Sequence, residues 1–147
     1  MKKYGLITAI LSILVVSVFF QKQVRSALFP DAPVNKQIQL AIFTQNNYSA
    51  AVYEQAKASV HVTVTKLKGK SRYIVWEKTF EEMALKKYPT VHNAFTQQVT
   101  VPNVIDGKEK LLITYTVTYE AKGSVLKLGS DTMVSKGVKS NKLQINI

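Results

Sequence analysis

The sequence contains no cysteine, and this absence excludes several kinds of chemistry at once. Without cysteine the chain cannot form a disulfide, a thiolate metal site, a lipid-modified cysteine or a cysteine nucleophile. A domain outside the cytoplasm would therefore be held together by its hydrophobic core alone. The absence slightly favours a bacterial or archaeal cell envelope over a eukaryotic secretory product.

The patterns that usually mark an active site or a metal site are also missing. His61 and His92 lie outside any H-x-H or H-E-x-x-H pattern, and there is no Asp-rich calcium loop. Glu81 and Glu82 are neighbours, so on a helix their side chains would diverge by about 100°. There is no G-x-S-x-G elbow and no glycine-rich phosphate loop. We therefore predict a protein that is not an enzyme and that binds no cofactor or metal ion.

Charge is missing from one long stretch, Tyr4 to Phe20, which follows the basic start Met1-Lys2-Lys3. As a helix its seventeen residues would rise about 25 Å, slightly less than the roughly 30 Å hydrocarbon core of a bilayer. Residues 1–29 therefore predict a single-pass signal-anchor helix, with the N-terminus cytoplasmic and the following domain periplasmic or extracellular. The side chains expected to contact lipid are Tyr4, Leu6, Ile7, Ile10, Leu11, Leu14, Val15, Val18, Phe19 and Phe20.

Two other interpretations of this stretch stay open. A basic start followed by an apolar run is also typical of a cleaved secretory signal, although the run exceeds the usual length of about 7–15 residues and no A-x-A triplet follows. A prepilin-type cut after Gly5 would instead give a filament subunit. The helix lacks the acidic residue that many pilin-like helices carry near their new start.

The rest of the chain predicts one domain over residues 37–147, joined to the anchor by a linker over residues 30–36 that contains Pro30 and Pro33. Residues 31–147 contain 16 Lys and Arg and nine Asp and Glu, a net charge of +7. This charge suits anionic lipid head groups or polyanionic glycans. Nucleic acid is not expected as a partner, because the domain is predicted to lie outside the cytoplasm.

Alternating apolar side chains predict strands along most of the domain. Gln37–Phe43 alternates isoleucine and leucine with polar or small residues, and valines alternate with polar residues from Ala58 onward. The longest alternation runs from Leu111 to Glu120, where threonines and β-branched residues oppose a helix. Further strands are predicted over residues 72–80, 95–101, 125–128, 132–135 and 142–147, with a strand end at Pro102, a turn over 129–131 and a short helix over 81–88.

Seven or eight short strands at spacings near ten residues predict a mainly β domain, a single antiparallel β-sandwich of the immunoglobulin-like type. Trp76 is expected on a central strand, as a buried tryptophan of such domains would be. The paired cysteines of antibody-type domains are absent.

Four positive charges in seven residues make one candidate contact surface. Lys66, Lys68, Lys70 and Arg72 surround Gly69 and predict a basic patch that contacts lipid head groups, an acidic glycan or an acidic partner. The same lysines would equally protect strand ends from aggregation as a solvated turn.

A second candidate is the strand that follows the linker, with Ile38, Leu40 and Ile42 on one face. Pairing within its own domain is the default expectation. The alternative is that this strand fills a strand vacancy in a neighbouring protein.

Together these features predict a non-catalytic, membrane-anchored β-sandwich protein. It would act as an accessory or structural subunit, or as an interaction module, of a membrane or cell-envelope complex. Its partners would be the lipid bilayer and other membrane or envelope proteins. The alternatives are a pilin-like filament subunit whose N-terminal helix packs in the filament core, and a secreted β-sandwich that binds a small ligand or glycan after signal cleavage.

Overall fold

A computed structural model describes residues 32–147 of the chain. Within this range, Pro33–Ile147 forms one compact unit. The predicted anchor over residues 1–29 lies outside the described residues, so the anchor and its alternatives remain predictions. Where the chain is described, it contains no helix that is both long and apolar enough to cross a bilayer.

The described residues form seven strands and three short 3₁₀ turns, so the domain is mainly β, as the sequence predicts. The 3₁₀ turns are Ala51–Tyr53, Leu85–Lys87 and Val91–Asn93. The strands are β1 (Val34–Phe43), β2 (Lys57–Lys68), β3 (Ser71–Ala84), β4 (Phe95–Val104), β5 (Glu109–Ala121), β6 (Ser124–Val134) and β7 (Ser140–Asn146).

The strands form two sheets that share one hydrophobic core, as in a β-sandwich. The three-stranded sheet has the order β4-β1-β7, and the four-stranded sheet has the order β3-β2-β5-β6. Each neighbouring pair is antiparallel except β1 and β7, which run parallel with Gln37 opposite Ser140. The prediction of a purely antiparallel sandwich is wrong at this pair, because alternation indicates the buried face of a strand but not the direction of its neighbour.

The centre of the core is formed by the alternating apolar side chains that the sequence predicts for β1, β2 and β5. They meet in a single cluster to which both sheets contribute. Tyr115 and Tyr119 lie half-buried against this cluster. The buried members of the cluster from these three strands are Ile38, Leu40, Ile42, Ala58, Val60, Val62, Val64, Leu111, Ile113 and Val117.

The two sheets differ in width, and β6 is exposed along its length except at Val134, which is buried in the core. β4 lies on the β2–β3 side of the domain, because Lys78 Nζ on β3 donates to Gln97 Oε1 on β4 at 2.8 Å. β7 lies on the opposite side of β1 from β4, and therefore toward β5 and β6. Beyond β7, no strand of the described residues continues the three-stranded sheet over β6.

A charged side chain is buried at the start of β1. Lys36 is 2% exposed, its Nζ lies 2.6 Å from Asp106 Oδ1, and it donates to Val138 O at 2.7 Å. Asp106 Oδ2 also accepts from the backbone N–H of Gly137 at 3.0 Å. Burial raises the pKa of Asp106, but the hydrogen bonds from Lys36 and Gly137 outweigh it and hold that pKa below its usual value. Since Lys36 is part of β1, the predicted linker ends before Val34.

The short helix predicted over residues 81–88 is wrong. Glu81–Ala84 complete β3, which pairs with β2 as far as Lys57, and only Leu85–Lys87 turn, as a 3₁₀ helix. The N–H of Leu85 then donates to Ala56 O at 2.9 Å. Pairing with an established strand outweighs a weak local preference for helix.

The turn predicted over residues 129–131 is also wrong, because β6 is continuous. Gly129 pairs with Thr116 in the middle of the β5–β6 ladder. A Cβ at Gly129 would lie 3.1 Å from the Tyr115 carbonyl oxygen. This glycine therefore permits a close approach of the β5 backbone and does not mark a turn.

β4 continues past Pro102, where the sequence predicts its end. The pairing of β1 with β4 is irregular between Val34 and Lys36, and Asn103 has a φ of 54°. Proline lacks the N–H that a regular ladder needs, and it is tolerated where an edge strand such as β4 forms a bulge.

Trp76 lies on β3, which is an edge strand and not the central strand predicted for it. Its side chain and that of Phe80 are half-buried against the core. β3 is therefore partly covered by the opposite sheet, in contrast to β6.

Candidate interaction groove

An open groove lies at the end of the domain where β5 turns into β6. One wall is β6, and the other is the β1–β2 connection, residues 44–56. Its volume is about 710 Å³, within the range of sites that bind ligands. The lining includes Tyr48, Val52, Tyr53, Tyr119, Leu126 and Leu128.

Short polar side chains hold the β1–β2 connection in place. Thr44 Oγ1 donates to Ile147 O at 3.0 Å and accepts from the N–H of Asn46 at 3.0 Å. The N–H of Thr44 donates to Pro89 O at 2.9 Å. Asn46 Nδ2 donates to the Tyr48 hydroxyl at 3.1 Å, which orients that ring at the groove. Such local bonds from Thr and Asn favour a fixed turn over a regular strand.

Three tyrosines give the groove both aromatic and polar character. The rings of Tyr48 and Tyr53 meet edge to face, with centroids 5.0 Å apart and an interplanar angle of 76°. Burial, followed by the proximity of Tyr48 and Tyr115, raises the pKa of Tyr119. Like any tyrosine hydroxyl at neutral pH, that of Tyr119 can donate a hydrogen bond.

The apolar wall is the inner face of β6. Leu126 pairs with Tyr119 and Leu128 with Val117, so both leucines face the same side of the sheet as the buried residues of β5. Val117 is buried, whereas Leu126 is 57% exposed and Leu128 is 52% exposed. Val52, on the opposite wall, is more exposed still. Apolar side chains grouped on an open surface are typical of a site that binds a partner.

The predicted basic patch surrounds the β2–β3 hairpin, but two of its charges are paired. Lys66 Nζ lies 3.4 Å from Glu109 Oε2, and Lys68 Nζ lies 4.0 Å from Glu109 Oε1. A backbone hydrogen bond, opposed by burial and assisted by both lysines, lowers the pKa of Glu109. Lys70 and Arg72 are exposed at the hairpin. Contact of this hairpin with an anionic surface remains a prediction.

The candidate pairing strand lies in the centre of its own sheet. Ile38, Leu40 and Ile42 are buried, and β1 pairs with β4 on one side and with β7 on the other. The structure thus has the intramolecular arrangement that the sequence analysis takes as its default. A strand paired on both edges offers no free edge to a neighbouring protein.

The histidines are not brought into a metal site. His61 lies on the outer face of β2, with Nδ1 2.9 Å from Thr79 Oγ1 and Nε2 3.1 Å from Glu77 Oε1. His92 lies in the last 3₁₀ turn. Over residues 32–147, no three His, Cys, Asp or Glu side chains are grouped so as to hold a metal ion.

The sequence pattern does not identify the groove. It divides β6 into two short strands, and only the continuous pairing with β5 places Leu126 and Leu128 on the inner face. One feature of the sequence indicates that β6 has apolar side chains on both faces: Val125, Leu126 and Leu128 depart from strict alternation. The sequence does not show that the opposite sheet is one strand narrower.

Comparisons of the chain with family models, curated proteins and solved structures found no match.

Proposed function

We propose that this chain is a non-catalytic interaction module, a membrane-anchored β-sandwich protein that acts as an accessory or structural subunit of a membrane or cell-envelope complex. The observation that carries the proposal is the groove, where Leu126 and Leu128 are exposed on a face that is buried elsewhere in the sheet. Covering apolar surface is favourable by about 25 cal/mol per Å². A partner that presents apolar side chains would therefore bind here.

The strand order supports an immunoglobulin-like type for the sandwich. The β3-β2-β5-β6 sheet corresponds in order and connection to strands C′, C, F and G, and the pair β1–β4 corresponds to strands B and E. β7 occupies the place beside β1 that strand A has in such domains, but it runs parallel to β1.

Membrane attachment is supported by the uncharged run Tyr4–Phe20 behind two lysines. A domain tethered to a membrane meets a partner in the same membrane at a high effective concentration. A groove of modest size is then enough for a stable complex.

Photo-crosslinking in native membranes tests the proposal. A photo-reactive phenylalanine analogue replaces Leu128 in one variant and, as a matched control, the exposed Ile74 on the far edge strand β3 in another. We expect one defined protein adduct from position 128 that disappears when Leu126→Glu is added, and no adduct of that mass from position 74. Equal adducts from both positions, or an adduct that L126E leaves unchanged, would contradict the proposal.

The polar groups of the groove favour a second function, the binding of a small ligand or glycan. Asn46, Asn47 and the tyrosine rings line the same space as the leucines, and sugars use both aromatic faces and hydrogen-bonding groups. Ligand-observed NMR with a glycan panel tests this function. Saturable binding of one sugar that Tyr53→Ala abolishes would support it, and absence of binding would favour the protein partner.

A further inference from the structure

A free strand edge lies beside the exposed leucines of β6. In the described part of the chain, β7 has a paired neighbour on one side only. The N–H of Ile147 donates to Phe43 O on β1 at 2.9 Å. Alternate residues of a strand direct their backbone groups to opposite sides. The N–H and C=O groups of Lys142 and Gln144 therefore face away from β1, along the free edge of the sheet.

We propose that this edge accepts one strand from a partner protein, an extended segment in which apolar residues alternate with acidic residues. This proposal rests on the proposed interaction function and adds the mode of binding. The added strand extends the three-stranded sheet by one and lies over β6. Its inward side chains cover Leu126 and Leu128, and its backbone pairs with β7.

The lysines beside the edge indicate that the outward side chains of the partner segment are acidic. Residues 132–147 contain three lysines, Lys136, Lys139 and Lys142, and no Asp or Glu. All three are exposed, and none is in an ion pair with a carboxylate of the described residues. Lys142 points outward, because the next residue, Leu143, packs against the core. An acidic residue on the outward face of the added strand would lie beside Lys142.

The width of the sheets favours a single strand over a second copy of the domain. On the inner face of β6, Leu126 and Leu128 are exposed, so the four-stranded sheet extends there beyond the surface that β7 covers. Two copies joined edge to edge through β7 would bring both projecting β6 strands into the same space. One added strand fills the available space without this conflict.

The groove continues from the end of this edge. Asn46 Nδ2 donates to Ile147 O at 3.3 Å as well as to the Tyr48 hydroxyl. The tyrosine wall therefore begins where β7 ends. An added strand that covers Leu128 would place a further apolar side chain among the tyrosines.

Synthetic peptides test the mode of binding on the full chain in detergent micelles. The probe is a fluorescent eight-residue peptide in which Val alternates with Glu, and binding is measured by fluorescence anisotropy. A peptide in which Val alternates with Lys is the charge control. We expect the acidic peptide to bind saturably and the basic peptide to bind at least about tenfold more weakly.

Two N-methylated forms of the acidic peptide test backbone pairing. One is methylated on the Val amides and the other on the Glu amides. In an added strand only one of these two sets faces β7, so one form should bind like the parent and the other at least about tenfold more weakly. The affected set also reports the strand direction. Equal behaviour of the two forms would overturn strand addition.

Variants of the protein locate the site. Lys142→Glu should weaken binding of the acidic peptide and strengthen that of the basic one, whereas Lys70→Glu at the distant hairpin should change neither. Leu128→Glu should abolish binding and Ile74→Glu should not, with circular dichroism confirming that each variant is folded. A result in which K142E and K70E behave alike would overturn the proposal.

Two outcomes separate this inference from the proposed function. If the position-128 crosslink forms but the N-methylated peptides bind equally, strand addition is wrong and the interaction function stands. If the crosslink itself does not depend on Leu126, the interaction function is wrong as well. Concentration-dependent dimerisation that Leu128→Glu abolishes, seen by sedimentation, would assign the edge to a second copy and overturn the partner strand.

Discussion

At the scale of single residues, the buried ammonium of Lys36 depends on a small number of partners. Asp106 supplies the charge, and the carbonyl oxygens of Val138 and Ser135 accept the remaining hydrogen bonds. We expect Asp106→Asn to lower the free energy of unfolding by about 3 kcal/mol, because it leaves a buried charge unpaired. This loss lies at the lower end of the range for broken buried ion pairs, because Asp106 is 19% exposed. Urea unfolding measures it, and Asp131→Asn on the exposed face of β6 should change the free energy by less than about 0.5 kcal/mol.

The same pair determines how stability falls in acid. The pKa of Asp106 is lowered in the folded state, so the unfolded state binds more protons between the folded value and the usual value of 3.8. The stabilisation is complete above the unfolded pKa and is lost as pH falls through the folded pKa. Below about pH 4, we expect the free energy of unfolding to fall more steeply for the natural chain than for Asp106→Asn. Parallel curves would contradict this expectation.

Tyr88 leads to a corresponding prediction for stability at alkaline pH. Its hydroxyl donates to Ala58 O at 2.8 Å, and burial, followed by Tyr119 and Glu82, raises its pKa to about 12. Tyr88→Phe should lower the free energy of unfolding by about 1–2 kcal/mol, because the buried hydrogen bond to the Ala58 carbonyl is lost. A folded pKa above the unfolded value of 10.0 means that the stabilisation is present below pH 10 and is lost as pH rises toward 12. In an ultraviolet titration of the tyrosines, the ionisation at the highest pH should disappear in Tyr88→Phe. It should persist in Tyr73→Phe, which changes an exposed ring.

At the scale of elements, two leucines on one face of the same sheet should differ in their effect on stability. Leu111 on β5 is 1% exposed and Leu128 on β6 is 52% exposed. We expect Leu111→Ala to lower the free energy of unfolding by about 2–5 kcal/mol through the cavity that it leaves. Leu128→Ala should lower it by less than about 1 kcal/mol. Similar losses in urea unfolding would show that the inner face of β6 is covered in the folded chain.

Element by element, the sequence predicts strands well where one face is buried. The alternation in β1, β2 and β5 places their inward residues correctly because those residues are covered by the other sheet. It fails at residues 81–88 and 129–131, where partner strands determine the backbone. The composition of Glu81–Ala84 favours a helix only in the absence of β2, and Gly129 resembles a turn only in the absence of β5.

The groove could not be predicted for a related reason. Its residues come from the β1–β2 and β3–β4 connections, the end of β5 and the edge strand β6. What exposes Leu126 is the absence of a strand opposite it in the described sheet. A single sequence indicates which residues are apolar. It does not indicate how many strands the facing sheet contains.

At the scale of the whole molecule, the membrane anchor is the prediction that most affects the function. We expect the natural protein from fractionated cells to retain residues 1–29 in its intact mass and to resist alkaline carbonate extraction. A soluble form that starts near Lys22 or Ala27 would contradict the anchor and favour the secreted ligand binder. A start at Leu6 would indicate prepilin processing and a filament.

The parallel pairing of β1 with β7 has a consequence for how the chain folds. Gln37 meets Ser140, so β1 cannot complete its pairing until β7 has been synthesised. The hairpins β2–β3 and β5–β6 join neighbours in the chain and can form early. Contacts between distant parts of a chain slow folding, because a long loop must close first. During synthesis the edge of β1 that pairs with β7 would therefore stay unpaired until β7 emerges, so we expect the two hairpins to form before the three-stranded sheet is complete.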